Sequence, residues 1–265
     1  MSRSKILTIR TPSGISGDML LTGLARMAQL DQPALDAMVA EIGVPALTSC
    51  VSIEAAQVNN LSGWRAEVTL PQEHSHRTFD DIRRIIRASG MQPAARELAE
   101  DAFHRLAVAE GVVHDQPPEQ VTFHEVGALD SILDVCLSAA LFDRLDVDHL
   151  RCSPLPVCDG TVQSDHGVLA TPAPAVLLLL EGVPVYGIDS QGETVTPTAI
   201  SLLKAMRAEF GPWPAMVVER VERIYGGRVL PNIPNGAIFA LGHEHDHPEE
   251  TGQAEIAPEL GTATP

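Results

Sequence analysis

Strand-like and helix-like stretches alternate along this chain from Lys5 to Leu241. That alternation predicts an α/β fold, a mixed β-sheet with helices packed on it. Two further observations agree. Asn59-Asn60-Leu61-Ser62-Gly63 separates two strand-like runs, a hairpin signal that makes part of the sheet antiparallel. The 265 residues are 45% hydrophobic and only 4% aromatic, enough to bury a core that is mainly aliphatic. Residues 1–242 read as the folded region, with 46–120 a candidate second lobe and 243–265 a disordered His/acidic tail.

Lys5–Arg10 predicts the first strand, and Met19–Ala28 the first helix. The Pro12–Met19 turn between them carries two glycines and two serines. Strand, glycine turn and helix is a layout that points backbone N–H groups at an anion. The turn is not a P-loop, because no Gly-Lys-Ser/Thr ending follows, and its glycine spacing differs from a dinucleotide fingerprint. Ser13, Gly14, Ser16 and Gly17 are therefore candidate phosphate contacts; a tight turn with Asp18 at the helix start is the structural alternative. Pro33–Ile42 predicts a second helix, with Leu35, Met38, Val39 and Ile42 at helical spacing. Ser49–Ala56 and Trp64–Leu70 are the hairpin strands. Gln72–Arg77 is a polar connector whose His74 and His76 could hold a transition metal loosely or lie exposed. Asp80–Ala88 and Pro93–Val113 read as helices.

The stretch Phe123–Asp134 presents His124 and Glu125 in a loop, then a helix carrying Asp130, Asp134 and Ser138 on one stripe. That helix is otherwise mostly apolar, so it should be largely buried. Carboxylates on a buried helix need a partner, which a metal ion or a basic ligand group would supply. The alternative is a solvated edge, with Asp130 favoured by the positive end of the helix. Arg151–Val157 reads as an edge strand because of Pro154 and Pro156. Gly160–Ser164 follows, closed by Asp165-His166-Gly167, and His166 is a candidate ligand or proton-transfer group. Ala175–Leu180 is a short apolar helix. Glu193 lies in the loop before a helix over Thr198–Phe210, where Thr196 or Thr198 could cap the helix or contact a phosphate. Met216–Tyr225 and Ala237–Leu241 are the last strands. His243, His245 and His247 alternate beyond them, an arrangement that suits nickel, zinc or copper.

The formal net charge of -17 argues against a nucleic-acid backbone as partner, and sparse aromatics argue against base-stacking platforms. Cys50, Cys136, Cys152 and Cys158 form no CxxC pair, so no thiolate zinc site or dithiol redox motif is suggested. The longest apolar run, Ala175–Leu180, is too short to span a membrane. No signal-peptide pattern precedes Lys5, and a cytoplasmic protein with reduced thiols is expected.

Several of these segments together resemble the LarC family of nickel insertion proteins. Ser13–Leu20 is similar to the family's amino-terminal signature and Phe123–Asp134 to its central motif. Ser153-Pro154-Leu155-Pro156, His166-Gly167, Thr171–Ala175, Gly192-Glu193 and Thr196–Ala199 follow in the same order, so the resemblance covers residues 5–242. It implies insertion of nickel into a pyridinium-3,5-bisthiocarboxylic acid mononucleotide. The product would be the nickel-pincer nucleotide cofactor of lactate racemase-type enzymes, formed by a CTP-dependent cyclometallation that needs Mg2+ or Mn2+. On this resemblance His124, Glu125, Asp130 and Asp134 form a metal or substrate cluster, joined by Asp18, His166 and Glu193. His124 or His166 would remove the ring proton as the carbon–nickel bond forms. His74, His76, His243, His245 and His247 would capture nickel. Family members usually continue into a domain associated with nucleotide triphosphate and Mn binding, so a separately encoded partner chain is expected, and a homo-oligomer is allowed. Arg10-Thr11-Pro12 stands where the family tends to have an Asp-Cys-Phe-like run, and Tyr225-Gly226-Gly227-Arg228 is shorter than its Gly-rich counterpart. The alternative function is a non-catalytic nickel storage or chaperone protein.

Overall fold

The structure, a computed structural model, describes residues 3–71, 76–123, 126–164, 166–230 and 233–245. The readings made for His74, His124, Glu125 and His247 lie outside them, as does most of the tail.

Strand β1 (Lys5–Arg10) buries Ile6, Leu7, Thr8 and Ile9, so it is covered on both faces. The glycine turn leads into α1 (Gly17–Met27). Helix α2 (Gln32–Glu41) is capped by Asp31, whose carboxylate accepts the Ala34 N–H at 3.0 Å. Strands β2 (Val51–Val58) and β3 (Leu61–Val68) form the expected hairpin, but only Asn59-Asn60 turns it. Both asparagines take positive φ, 51° and 62°, which matches the twist of a two-residue hairpin turn. Strand β4 (Arg77–Thr78) runs into α3 (Phe79–Ala88), which starts with a reciprocal Thr78–Asp81 capping box. Helix α4 (Pro93–His114) and strand β5 (Thr122–Phe123) precede α5 (Leu129–Leu145).

The single strand expected over 151–157 is two. Strand β6 (His149–Cys152) ends at Ser153-Pro154, and β7 (Leu155–Val157) turns off to another partner. Proline has no N–H to give a ladder, so the break falls there. Strands β8 (Gly160–Ser164) and β9 (Gly167–Thr171) make a second hairpin, followed by α6 (Pro174–Leu179). Strand β10 (Val185–Gly187) is the parallel partner of β7. Helix α7 (Pro197–Ala205) stops short of the expected Phe210. Arg207 has φ 56° and the Ala208 N–H donates back to Leu203 O at 2.9 Å, a left-handed stop. That releases β11 (Glu209–Phe210) to pair with β6. Strand β12 (Met216–Ile224) precedes β13 (Ala237–Glu244), which runs past Leu241 because His243 and Glu244 still pair with Lys5 and Met216.

Seven strands form one mixed sheet in the order β11-β6-β1-β13-β12-β3-β2. β11, β6 and β1 are parallel, β13 is antiparallel to β1 and β12, and β3 meets β12 through the pair Ile224 and Trp64. Helices stack on the sheet in successive layers. α1 lies against β3, β12 and β13, α5 packs on α1, and α4 packs on α5 and α7. A helix between two others must be apolar nearly all round, and α5 is. Among the described residues no helix is long and apolar enough to cross a membrane.

Candidate functional site

Strand β1 ends between two neighbours of opposite sense, β6 parallel and β13 antiparallel. Chain segments leaving such a junction diverge and open a crevice at the carboxyl end of the strand. Here the crevice is a cavity of about 220 Å³ between the Ser13–Met19 turn, the Glu193–Thr196 loop and the β12–β13 connection. It gathers six of the sequence-derived candidates: Ser13, Gly14, Ser16, Asp18, Glu193 and Thr196.

Backbone pairing fixes the first two walls. Ile15 N–H donates to Thr194 O at 2.9 Å, and Thr196 N–H donates to Ile15 O at 3.2 Å. Gly14 has φ 106°, and a Cβ there would collide with Thr194 O, so glycine is required. Ser16 is the N-cap residue of α1, and its hydroxyl donates to Asp18 Oδ1. Thr196 is the N-cap residue of α7 and accepts the Ala199 N–H at 3.2 Å. Two helix amino ends therefore border one cavity. The Thr11 and Ser153 hydroxyls lie 2.9 Å apart and tie the turn to the Ser153-Pro154 break. Arg10 donates to Gly211 O at 2.7 Å and lies over Trp213.

Behind the turn, α5 presses on α1. Gly17, Thr198 and Asp134 meet there, and a Cβ on Gly17 would strike the Asp134 carboxylate. The structure divides the two carboxylates of α5. Asp130 is exposed in the first turn and accepts the Ser131 N–H at 2.7 Å, whereas Asp134 is turned inward. Burial, then the charges of Asp18 and Asp130, push the Asp134 carboxyl well above the ordinary carboxylate range. Among the described residues, no three His, Cys, Asp or Glu side chains form a ready-made metal cluster. The four cysteines are free and buried; burial pushes the Cys136 and Cys152 thiols up to about 12, so they stay protonated at neutral pH.

The histidines are spread. His76 directly precedes β4, whose Arg77 pairs with Phe123 of β5 and donates to Gly127 O at 2.7 Å, so Arg77 adjoins the central motif. His166 lies in the β8–β9 turn and lines a second cavity, which Glu193 also borders. His243 is at the far end of the sheet. It pairs with Lys5, six strand positions from the turn, and its ring nitrogens lie 3.0 Å from Glu219 Oε1 and 3.2 Å from Arg3 Nη1. His245 follows it, its N–H donating to Ala215 O at 3.2 Å. The structure does not bring His243 and His245 to the cavity.

Three residues that sequence reasoning passed over shape the site. Arg228 lines the cavity and donates from its two terminal nitrogens to Glu193 O and Gln191 O, each at 3.2 Å. Asn235 closes the β12–β13 connection, accepting the Leu230 N–H at 2.8 Å and donating to Leu230 O at 2.7 Å. Arg77 ties β4 to the central motif. The available signal was the Gly226-Gly227-Arg228 run, a cation beside two glycines.

The family described as nickel insertion protein matches residues 7–258. A Desulfitobacterium hafniense protein named pyridinium-3,5-bisthiocarboxylic acid mononucleotide nickel insertion protein is 38% identical over 244 residues, 92% of this chain and 59% of that protein. Relatives from Citrifermentans bemidjiense (37% identical, 92% of this chain and 62% of theirs) and Geotalea daltonii (35%, 90% and 61%) are also named for nickel insertion. This chain thus spans about 60% of the length of these curated relatives. No solved structure matches it. With the match running through nearly every element that builds the cavity, the chain belongs to the nickel insertion protein family.

Proposed function

We propose that this chain binds a pyridinium-3,5-bisthiocarboxylic acid mononucleotide in the cavity at the end of β1 and brings nickel to it. One observation carries the reading: the N-cap residues of α1 and α7, Ser16 and Thr196, and the guanidinium of Arg228 border the same cavity. Helix amino ends and an arginine are the groups that hold a phosphate. Ser13, Gly14, Ser16 and Thr196, which line the cavity, would take the phosphate, with Gly17 and Thr198 supporting them from behind. Asp18 and Glu193, which line the cavity, would face the cationic pyridinium ring, and Asp130 and Asp134 of α5, with His124 and Glu125, would serve the metal. Insertion forms two nickel–sulfur bonds and one nickel–carbon bond. The ring C–H leaves its electron pair to Ni2+ and its proton to a base, His124 or His166, without redox change. CTP, with Mg2+ or Mn2+, would act in the region of the longer relatives that this match does not cover, whichever chain carries it. The product would serve lactate racemase-type enzymes in the cytoplasm, and a second copy of this chain could accompany the assembly.

Arg228→Ala tests the phosphate side. Arg228 is exposed and held by two carbonyls, so its loss should leave urea unfolding within about 0.5 kcal/mol of the parent. Mononucleotide affinity should fall by about tenfold or more, and its dependence on salt should weaken. Calorimetric titration at low and high ionic strength measures both. Unchanged affinity would remove the phosphate from this cavity.

A further inference from the structure

Across Glu193 from the first cavity lies the second, of about 460 Å³. Its wall brings together two imidazoles from distant parts of the chain. His114 ends α4, and His166 sits in the β8–β9 turn. Their ring centroids are 4.9 Å apart and the planes are tilted by 44°. Glu110, one helical turn before His114, places Oε2 3.4 Å from His114 Nε2. Pro174 and Pro197 stiffen the adjoining backbone. Nothing in the local sequence distinguished His114 or Glu110 from ordinary helix positions.

Two imidazoles bound to one ion at about 2.1 Å, in neighbouring coordination positions, set their ring centres roughly 4.5–5 Å apart. The observed spacing falls in that range, and the tilt is not that of face-to-face stacked rings. We infer that His114 and His166, with Glu110 and Glu193, form an open docking site for a borderline divalent cation, nickel in this protein, beside the mononucleotide cavity. Imidazole and carboxylate suit Ni2+. Among the described residues no three such donors already close on one point, so side chains must rotate when the ion binds. That cost keeps the site weak and the ion exchangeable, unlike a closed thiolate cage. Glu193 borders both cavities, so it can hold the ion on the side from which the ring would take it. The assignment leaves the ring proton to His124. It rests on the proposed function only for the name of the metal.

The full chain titrated with nickel chloride, with histidine side-chain correlations followed by NMR, tests the site. Paramagnetic nickel should broaden His114 and His166 together, before His243 and His245. By calorimetry, His114→Gln and His166→Gln should each weaken nickel binding by about tenfold or more, whereas His104→Gln, on another face of α4, should not. Sharp His114 and His166 signals after the other histidines have broadened would overturn the site, as would unchanged affinity in a folded His114→Gln protein. The NMR titration needs no variant, so a misfolded variant leaves the result decided. Mononucleotide binding is measured separately. If it is absent while nickel still broadens both rings, the proposed function fails and this site stands; the reverse outcome removes only this site.

Discussion

Asp134 is held under three pressures of the same sign. Burial is the largest, followed by the negative charges of Asp18 and Asp130. The folded chain therefore keeps a proton that an unfolded aspartate, near about 3.9, has released. The stabilising contribution of that proton is complete below the unfolded value and is lost as pH rises through the higher folded value. Asp134→Asn keeps the shape and removes the charge. It should raise stability at neutral pH by more than the ~0.5 kcal/mol of an ordinary surface change and flatten this decline. Urea midpoints taken from about pH 4 to 8 would show it; an Asn variant less stable than its parent at neutral pH would count against the account. A cation bound beside the carboxylate would favour its charged form. The same substitution should therefore reduce any stabilisation by added nickel.

The packing of α1 on α5 depends on one missing methyl group. At Gly17 a Cβ would strike Asp134 Oδ2 and come 3.0 Å from Thr198 Cγ2. Gly17→Ala should cost about 1–3 kcal/mol by forcing the helices apart. Asp134→Ala vacates the space, so the double variant should recover part of that loss, and a double-mutant cycle in urea would report the coupling. Strictly additive losses would mean that the carboxylate is not what Gly17 accommodates. These two helices also show what was legible in the sequence. The apolar periodicity of α5 announced a buried helix, and burial followed. The four-residue spacing of Asp130 and Asp134 suggested a shared environment, yet Asp130 lies in the first turn and reaches solvent, whereas Asp134 lies one turn further along and meets α1. Which neighbour covers a helix is a long-range fact. The cavity's turn and cap pieces, Ser13–Asp18 and Glu193–Thr196, were readable because glycine conformation and capping are local chemistry. Arg228 and His114 have no such local pattern and gain meaning only where the fold places them. The early end of α7 was hidden too, because Arg207 takes a left-handed conformation that its residue type does not announce.

At the scale of the whole sheet, the β2–β3 hairpin sits at the outer edge, two strands beyond β13. Its ladder to β12 is the pair Ile224 and Trp64, with Tyr225 N–H donating to Trp64 O at 2.8 Å. Trp64 adds a side-chain clasp. Its indole N–H donates to Glu222 Oε2 at 2.9 Å, and the Arg26 guanidinium lies 3.7 Å from the ring centroid while pairing with Glu222 at 2.8 Å. Trp64→Phe removes the indole donor and weakens the platform under Arg26. The hydrogen bond contributes about 1 kcal/mol, and the cation–π contact about 0.5–1 kcal/mol at a partly exposed site. The clasp holds the hairpin and not the junction of β1 with β6 and β13. The loss should therefore surface as local opening rather than as damage to the cavity. Hydrogen exchange should quicken in residues 51–68 while amides of β1 and β13 keep their protection. Mononucleotide and nickel affinities should stay within about twofold, because no group lining either cavity has moved. Equal acceleration in β1 and β13 would show instead that the seven strands open as one unit, with the cavity's framework sharing the fate of its most distant edge.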